Sequence, residues 1–153
     1  MPAYFFDSSA LVKRYVAESG SVWVGQITAP PTGNRIYVAS ITAVEVVAAI
    51  TRKKKGNHVS AADAANAIAR FRHDLATDLR VFDLTPVVLD SAMALAEKHA
   101  LRGYDAVQLA VAQAIHNERI RLNLSSLTLV ASDNDLNKAA GGEGLATDDP
   151  NLH

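Results

Sequence analysis

Short apolar segments alternate with longer helical segments along this chain, and this alternation limits its fold more than any other feature. Four segments have the apolar, β-branched or aromatic composition of buried strands. They are Ala3–Phe6, Arg35–Ser40, Leu79–Leu84 and Leu127–Ser132, and a short fifth strand is predicted at Gly144–Asp148. Strands that alternate with helices favour a mostly parallel sheet covered by helices on both faces. We therefore predict a three-layer α/β/α fold with a four- to five-stranded sheet.

The helices are predicted from apolar residues at helical spacing and from start and stop signals. They are Ser9–Ala17, a short helix in "GSVWVG", Ile41–Lys55, Ser60 to about Ala76, Pro86–Leu101, Tyr104 to about Glu118, and Asn134–Ala140. No internal repeat or linker interrupts them. A chain of 153 residues can bury roughly 68–70% of its unfolded surface in one core. We therefore expect residues 1–153 to form a single domain.

The bulk composition narrows the classes of function. The chain has no cysteine, which excludes disulfides, thiolate nucleophiles and cysteine-based zinc sites and favours a cytoplasmic protein. No apolar run approaches the roughly 20 residues that span a bilayer, so no membrane partner is expected. The formal net charge is −1. Nucleic acid would therefore have to be held by local basic clusters or bound cations rather than by the overall field.

Two acidic residues directly follow predicted strands. Asp7 ends the first strand, and Asp133 follows the fourth strand in "LVASDNDLNKAA". Aspartate is a good N-cap, and capping alone is the simpler explanation for Asp7 taken by itself. Ligands of parallel sheets, however, bind beyond the carboxyl ends of the strands. Two strand ends that both deliver an acid to this edge are less expected from capping alone.

Two further acids lie in the first turns of apolar helices. Glu45 stands in "ITAVEVVAAI" with no basic residue within one turn, and a buried unpaired carboxylate either takes up a proton or finds a cation. Asp105 stands in "LRGYDAVQLAVAQAI". Asp105 could instead be placed there because the positive end of the helix dipole stabilises its charge, or because it pairs with Arg102.

These four carboxylates would require compensation if they met at one edge of the sheet. Two like charges about 4 Å apart repel by roughly 4 kcal/mol at an effective dielectric near 20. Oxygen ligands suit Mg²⁺ or Mn²⁺ rather than zinc, and no histidine pair has ligand spacing. The four acids therefore predict a divalent cation, and Ser8 or Ser9 would then be left to cap the first helix.

The same residues carry a resemblance to the PIN-domain family, specifically to the VapC-like ribonuclease toxins of type II toxin–antitoxin systems. The motifs that resemble the family are "DSSALVKRYVAESGS", "SITAVEVVAAI", "RGYDAVQLAVA" and "ASDNDLNKAAGGEGLATDDP". They occur in the family's order and cover nearly the whole chain. One departure is Ala131, which stands where the family often has Ser or Thr, with Ser132 one position later.

The resemblance implies a metal-dependent endoribonuclease that leaves a 5′-phosphate and a 3′-hydroxyl. It implies one or two Mg²⁺ or Mn²⁺ ions, an RNA substrate, a cognate antitoxin that blocks the pocket, and a homodimer. Its catalytic and metal-binding acids would be Asp7, Glu45, Asp105 and Asp133, with Ser9 and Asp135 in secondary roles.

Other interpretations remain open from the sequence. The chain could be a non-catalytic α/β module that binds RNA or a partner, with the acids acting as caps. An aspartyl-nucleophile phosphatase is less well supported, because Ser9 occupies the place of its second acid. Two predicted helix faces, Val12–Val24 and Ala62–Phe71, are either contact surfaces or, more simply, core. The basic residues that could line the rim of the site, or simply be solvated, are Lys13, Arg14, Arg52, Lys53 and Arg102.

Overall fold

The computed structural model describes residues 1–153 and contains a five-stranded, all-parallel sheet with seven α-helices. The strands are β1 (Ala3–Phe6), β2 (Arg35–Ala39), β3 (Arg80–Phe82), β4 (Leu127–Val130) and β5 (Ala146–Asp148). The helices are α1 (Ser8–Leu11), α2 (Ser21–Ile27), α3 (Thr42–Lys55), α4 (Ala61–Thr77), α5 (Pro86–His99), α6 (Gly103–Arg121) and α7 (Asn134–Gly142). The strand order is β3-β2-β1-β4-β5. The prediction of a mostly parallel α/β/α fold is therefore confirmed.

The sheet separates two hydrophobic cores, because successive residues of a strand point to opposite faces. In β1, Phe5 belongs to the core under α5, α6 and α7, whereas Phe6 belongs to the core under α1 to α4. Leu129 and Val130 divide in the same way in β4. All four side chains are fully buried. These apolar neighbours on both faces fix the central strands whose ends carry the acids.

The first helix is shorter than predicted. It ends at Leu11 and continues as a 3₁₀ turn over Val12–Arg14. Arg14 Nε and the Tyr15 hydroxyl both donate to Asp74 Oδ2 on α4, at 3.0 Å and 2.8 Å. These partly buried hydrogen bonds to a residue 59 or 60 positions away hold the chain after the 3₁₀ turn against α4. In contrast, α6 is longer than predicted, because it continues to Arg121.

Several charges and apolar faces have roles other than those of exposed contact residues. Lys13 is 6% exposed and pairs with Glu18 at 3.1 Å, and Lys53 pairs with the same carboxylate. With Arg14 bound to Asp74, the rim hypothesis is wrong for Lys13 and Arg14, whereas Lys53 is partly exposed and Arg52 is exposed.

The buried residues of the two predicted helix faces pack in the core, as the simpler alternative predicted; they are Val12, Val24, Ala64, Ala67 and Phe71. None of the seven helices has the length and apolarity needed to cross a bilayer.

Candidate active site

The four predicted acids follow three neighbouring strands or begin the helix that packs beside them. Asp7 directly follows β1, and its N–H donates to the Val130 carbonyl at the end of β4 (3.1 Å). Asp133 lies three residues beyond β4, and Glu45 is in the first turn of α3, which follows β2. Asp105 is in the first turn of α6. Parallel pairing of β2, β1 and β4 therefore brings Asp7, Glu45 and Asp133 to the same carboxyl edge of the sheet. Asp105 lies there too, because Arg102 is within 4 Å of both Asp105 and Asp133.

Asp7 is both a helix cap and the most deeply buried acid of this group. Its side chain accepts hydrogen bonds from the Ala10 N–H at 3.2 Å and the Ser9 hydroxyl at 2.7 Å, and the residue is 3% exposed. Burial raises the pKa of its carboxyl to about 7, and the negative charge of Asp105 adds to that rise. Asp7 is thus a poorly solvated carboxylate without a neighbouring cation, and the cap and site interpretations describe the same residue.

Neither Ser8 nor Ser9 caps α1, so the expectation that one of them would is wrong. Asp7 holds that position, and both hydroxyls serve the acids instead. Ser8 Oγ donates to Glu45 Oε2 at 3.0 Å, and Ser9 Oγ donates to Asp7 Oδ1. Ser9 Oγ also accepts from the Ser132 N–H at 3.0 Å, which joins the end of β4 to Asp7.

Glu45 is held by neutral donors rather than by a cation. Gln108 Nε2 donates to its Oε1 at 2.8 Å, opposite the Ser8 hydroxyl on Oε2. Hydrogen bonds of this kind orient a carboxylate and partly replace water, yet leave its negative charge in place. Glu45 is therefore an oriented, half-buried carboxylate whose charge remains available.

Asp105 and Asp133 share a nearby guanidinium. Arg102, 82% exposed, places Nε 3.9 Å from Asp105 Oδ2 and Nη2 3.8 Å from Asp133 Oδ2. Burial raises the pKa of Asp105, as do the charges of Asp133, Glu45 and Asp135, while Arg102 opposes the rise. Asp133 also caps α7, accepting from the Leu136 N–H at 2.9 Å. The four acids thus influence one another electrostatically.

The donor set fits a hard divalent cation in its chemistry, though not as a ready-made cage. Every candidate ligand is a carboxylate or hydroxyl oxygen, which suits Mg²⁺ or Mn²⁺. Arg102 already occupies a cation position between two of the carboxylates. No three acidic or histidine side chains, however, are arranged as a closed ligand set. The residues therefore fit a cation whose binding would draw the carboxylates closer together. The residues that would hold it are Asp7, Glu45, Asp105 and Asp133.

Ser132 and Asp135, on either side of Asp133, differ in their surroundings. Asp135 is exposed on α7 and contributes negative charge toward Asp105. Ser132 Oγ is buried without a hydrogen-bond partner, so only the backbone N–H of this residue joins the network. A hydroxyl at Ser132 therefore does not replace the one that is missing at Ala131.

Gln108 and Ser8 are site residues that sequence reasoning missed. Gln108 is 1% exposed and follows Asp105 by three positions on α6. An amide among apolar residues, one helical turn after a candidate ligand, is the signal that could have identified it. Ser8 gave no such signal, because a serine at the start of a helix is already explained as a cap.

Comparisons with known proteins identify a matching family and similar structures. The profile of a family described as PIN domain matches residues 4–142. A protein named ribonuclease VapC45, from Mycobacterium tuberculosis, is 34% identical over 120 residues, which is 75% of this chain and 78% of that protein. Among solved structures, PAE2754 from Pyrobaculum aerophilum superposes with a TM-score of 0.67 at 21% identity, covering 99% of this chain and 91% of that one. A structure described as a toxin–antitoxin complex from Klebsiella pneumoniae gives a TM-score of 0.64 at 18% identity, covering 96% and 97%.

Proposed function

Because the chain belongs to the PIN domain family and is VapC-like, we propose that it is a metal-dependent endoribonuclease, the toxin of a toxin–antitoxin pair. The observation that carries this proposal is the buried Asp7, hydrogen-bonded by Ser9, at the sheet edge where Glu45, Asp105 and Asp133 also lie. Such a concentration of oxygen ligands is suited to Mg²⁺ or Mn²⁺. Helix capping explains the positions of Asp7 and Asp133. It does not explain why two donors orient the carboxylate of Glu45.

The residues of the site have separate tasks in this proposal. When bound, one or two divalent cations supply Lewis-acid polarisation of the phosphodiester and lower the pKa of water. Asp7, Glu45, Asp105 and Asp133 hold the metal, and Ser8, Ser9 and Gln108 orient two of these carboxylates. Arg102 is exposed beside Asp105 and Asp133, where it can contact a backbone phosphate. RNA in single-stranded loops suits an open edge of this kind better than a duplex.

Removal of divalent metal tests the proposal directly. We expect the purified protein to cleave a stem–loop RNA in Mg²⁺ or Mn²⁺ and to lose at least about a hundredfold in rate after chelation, because the metal supplies several kcal/mol of charge stabilisation. The measurement is single-turnover cleavage, with the product ends identified as 5′-phosphate and 3′-hydroxyl. Cleavage that continues at full rate in EDTA would contradict metal dependence, and no cleavage with either metal would contradict the nuclease.

An antitoxin partner is supported by the charge of the site. A cluster of carboxylates in a protein of net charge −1 offers a local target for a cationic side chain of another protein. Arg102 already shows how a guanidinium reaches two of these acids at once. We therefore propose that the cognate antitoxin blocks the site by inserting an arginine among the same carboxylates.

A homodimer is supported by an apolar face elsewhere in the fold. Leu89 and Met93 are exposed large hydrophobics one turn apart on α5. They line an apolar groove between α5 and α6 together with Ala96 and Val107. Exposed apolar surface of this kind can pack against the same surface of a second copy in a two-fold dimer. We propose that a second copy of the chain covers this face.

Light scattering tests both partners in one series. We expect the wild-type protein to have the mass of a dimer, Met93→Lys to be a monomer, and both to gain mass with the product of the neighbouring gene. A charge on the apolar face removes the dimer but leaves the acids free, so the two interactions separate. A wild-type monomer would contradict the dimer, and failure of the neighbouring product to bind or inhibit would contradict the toxin assignment.

A further inference from the structure

One buried amide connects the two helices that carry Glu45 and Asp105. Gln108 on α6 is 1% exposed, and its Nε2 donates to Glu45 Oε1 at 2.8 Å and to Thr42 Oγ1 at 3.0 Å. Thr42 is the first residue of α3 and is fully buried. Gln108 follows Asp105 by three positions on α6, so the two side chains lie on neighbouring positions of one helix face. The amide therefore links the position of Glu45 to that of Asp105.

The hydrogen bonds determine which way the Gln108 amide faces. If the amide were reversed, its carbonyl oxygen would lie against the Glu45 carboxylate, where two acceptors repel. In the observed orientation both N–H groups of Nε2 are used. The Ser8 hydroxyl holds the other oxygen of Glu45. Both oxygens of the flexible Glu45 side chain are thus fixed. The conformational entropy of this side chain is therefore lost during folding and not when a metal binds.

The neutrality of Gln108 matters as much as its geometry. A lysine or arginine in the same place would orient Glu45 equally well but would cancel its charge and compete with a divalent cation. An apolar residue would leave the charge of Glu45 but would no longer orient its carboxylate. One partly buried oxygen of Glu45 would also lose its hydrogen-bond partner. The amide provides orientation without neutralisation.

We propose that Gln108 is a positioning residue that presents the Glu45 carboxylate, at a fixed place relative to Asp105, to the divalent cation. This inference rests on the proposed metal-dependent function. Groups that hydrogen-bond metal ligands in this way typically affect metal affinity by about 10–100-fold. Gln108 acts through Glu45 and does not itself touch substrate.

The test compares two glutamines of the same helix. Gln113 also lies on α6 and donates to a glutamate, Glu143, at 3.3 Å, but this pair is outside the four acids. Mn²⁺ is titrated by calorimetry into metal-free wild-type, Gln108→Met and Gln113→Met proteins without RNA. We expect Gln108→Met to bind Mn²⁺ at least about tenfold more weakly and Gln113→Met to match the wild type. Thr42→Val, which removes only the second partner of the amide, should weaken binding less and in the same direction.

Equal Mn²⁺ affinity in Gln108→Met and wild type would overturn the inference, as would an equal loss in Gln113→Met. If the wild-type protein bound no Mn²⁺, the proposed metal dependence would fail. Crystal structures of the metal-free proteins would then decide the positioning role separately. A Glu45 side chain displaced in Gln108→Met supports that role, and an unmoved one overturns it.

Discussion

Asp7→Asn should lose RNA cleavage by at least about a hundredfold while remaining folded. The loss follows because an amide carries no negative charge, so the site forfeits several kcal/mol of cation-dependent stabilisation of the transition state. The fold should survive because Asn is as good an N-cap as Asp and its carbonyl oxygen can still accept from Ala10 and Ser9. Single-turnover cleavage in Mn²⁺, with circular dichroism and thermal unfolding of the same samples, measures both effects.

Asp83 provides a matched control for this substitution. Asp83 directly follows β3 as Asp7 follows β1, but it is exposed. Asp83→Asn changes the same functional group in the same kind of position and should leave cleavage unchanged. Wild-type cleavage by Asp7→Asn would remove this residue from the catalytic group. Equal losses in both variants would point to a general effect of charge rather than to a specific role of Asp7.

The parts of the fold that sequence predicts here are those governed by local patterns. Apolar strands, the Ser60 cap of α4 and the glycine that follows the basic end of α3 are determined by residues a few positions apart. The order of the elements follows from them, and so does the parallel sheet. The early end of α1 was not predictable in this way, because the residues that follow it, Arg14 and Tyr15, bind the distant Asp74.

The residues of the candidate site also differ in whether local sequence is enough to predict them. Acids at strand ends and in first helical turns can be identified because these positions are known without coordinates. Ser8 and Gln108 could not be assigned to Glu45, since their partners lie 37 and 63 positions away. The rim hypothesis is wrong for Lys13 and Arg14 for a related reason. Long cationic side chains are usually solvated, and only the fold reveals that Glu18 and Asp74 lie against these two.

The stability of the metal-free protein should depend on pH through Asp7. Its ordinary pKa of 3.8 is raised to about 7 in the fold, mainly by burial. Below 3.8 the carboxyl is protonated in both folded and unfolded chains, and its contribution to stability is fully present. As pH rises from 3.8 through 7, the unfolded chain releases the proton more readily than the folded one, so the folded state loses stability relative to an uncharged side chain.

Asp7→Asn isolates this effect from the other titrating groups. The free energy of unfolding of the variant, minus that of the wild type, should increase between about pH 4 and pH 7 and level off above, reaching on the order of 3–4 kcal/mol. Urea denaturation of both proteins in chelator, from pH 4 to pH 8, measures the difference. Mn²⁺ should reduce it at pH 8 by stabilising the wild type alone. A difference that stays constant with pH would mean that Asp7 is better solvated than its burial indicates. The negative charge of Asp7 would then not lower the stability of the metal-free protein.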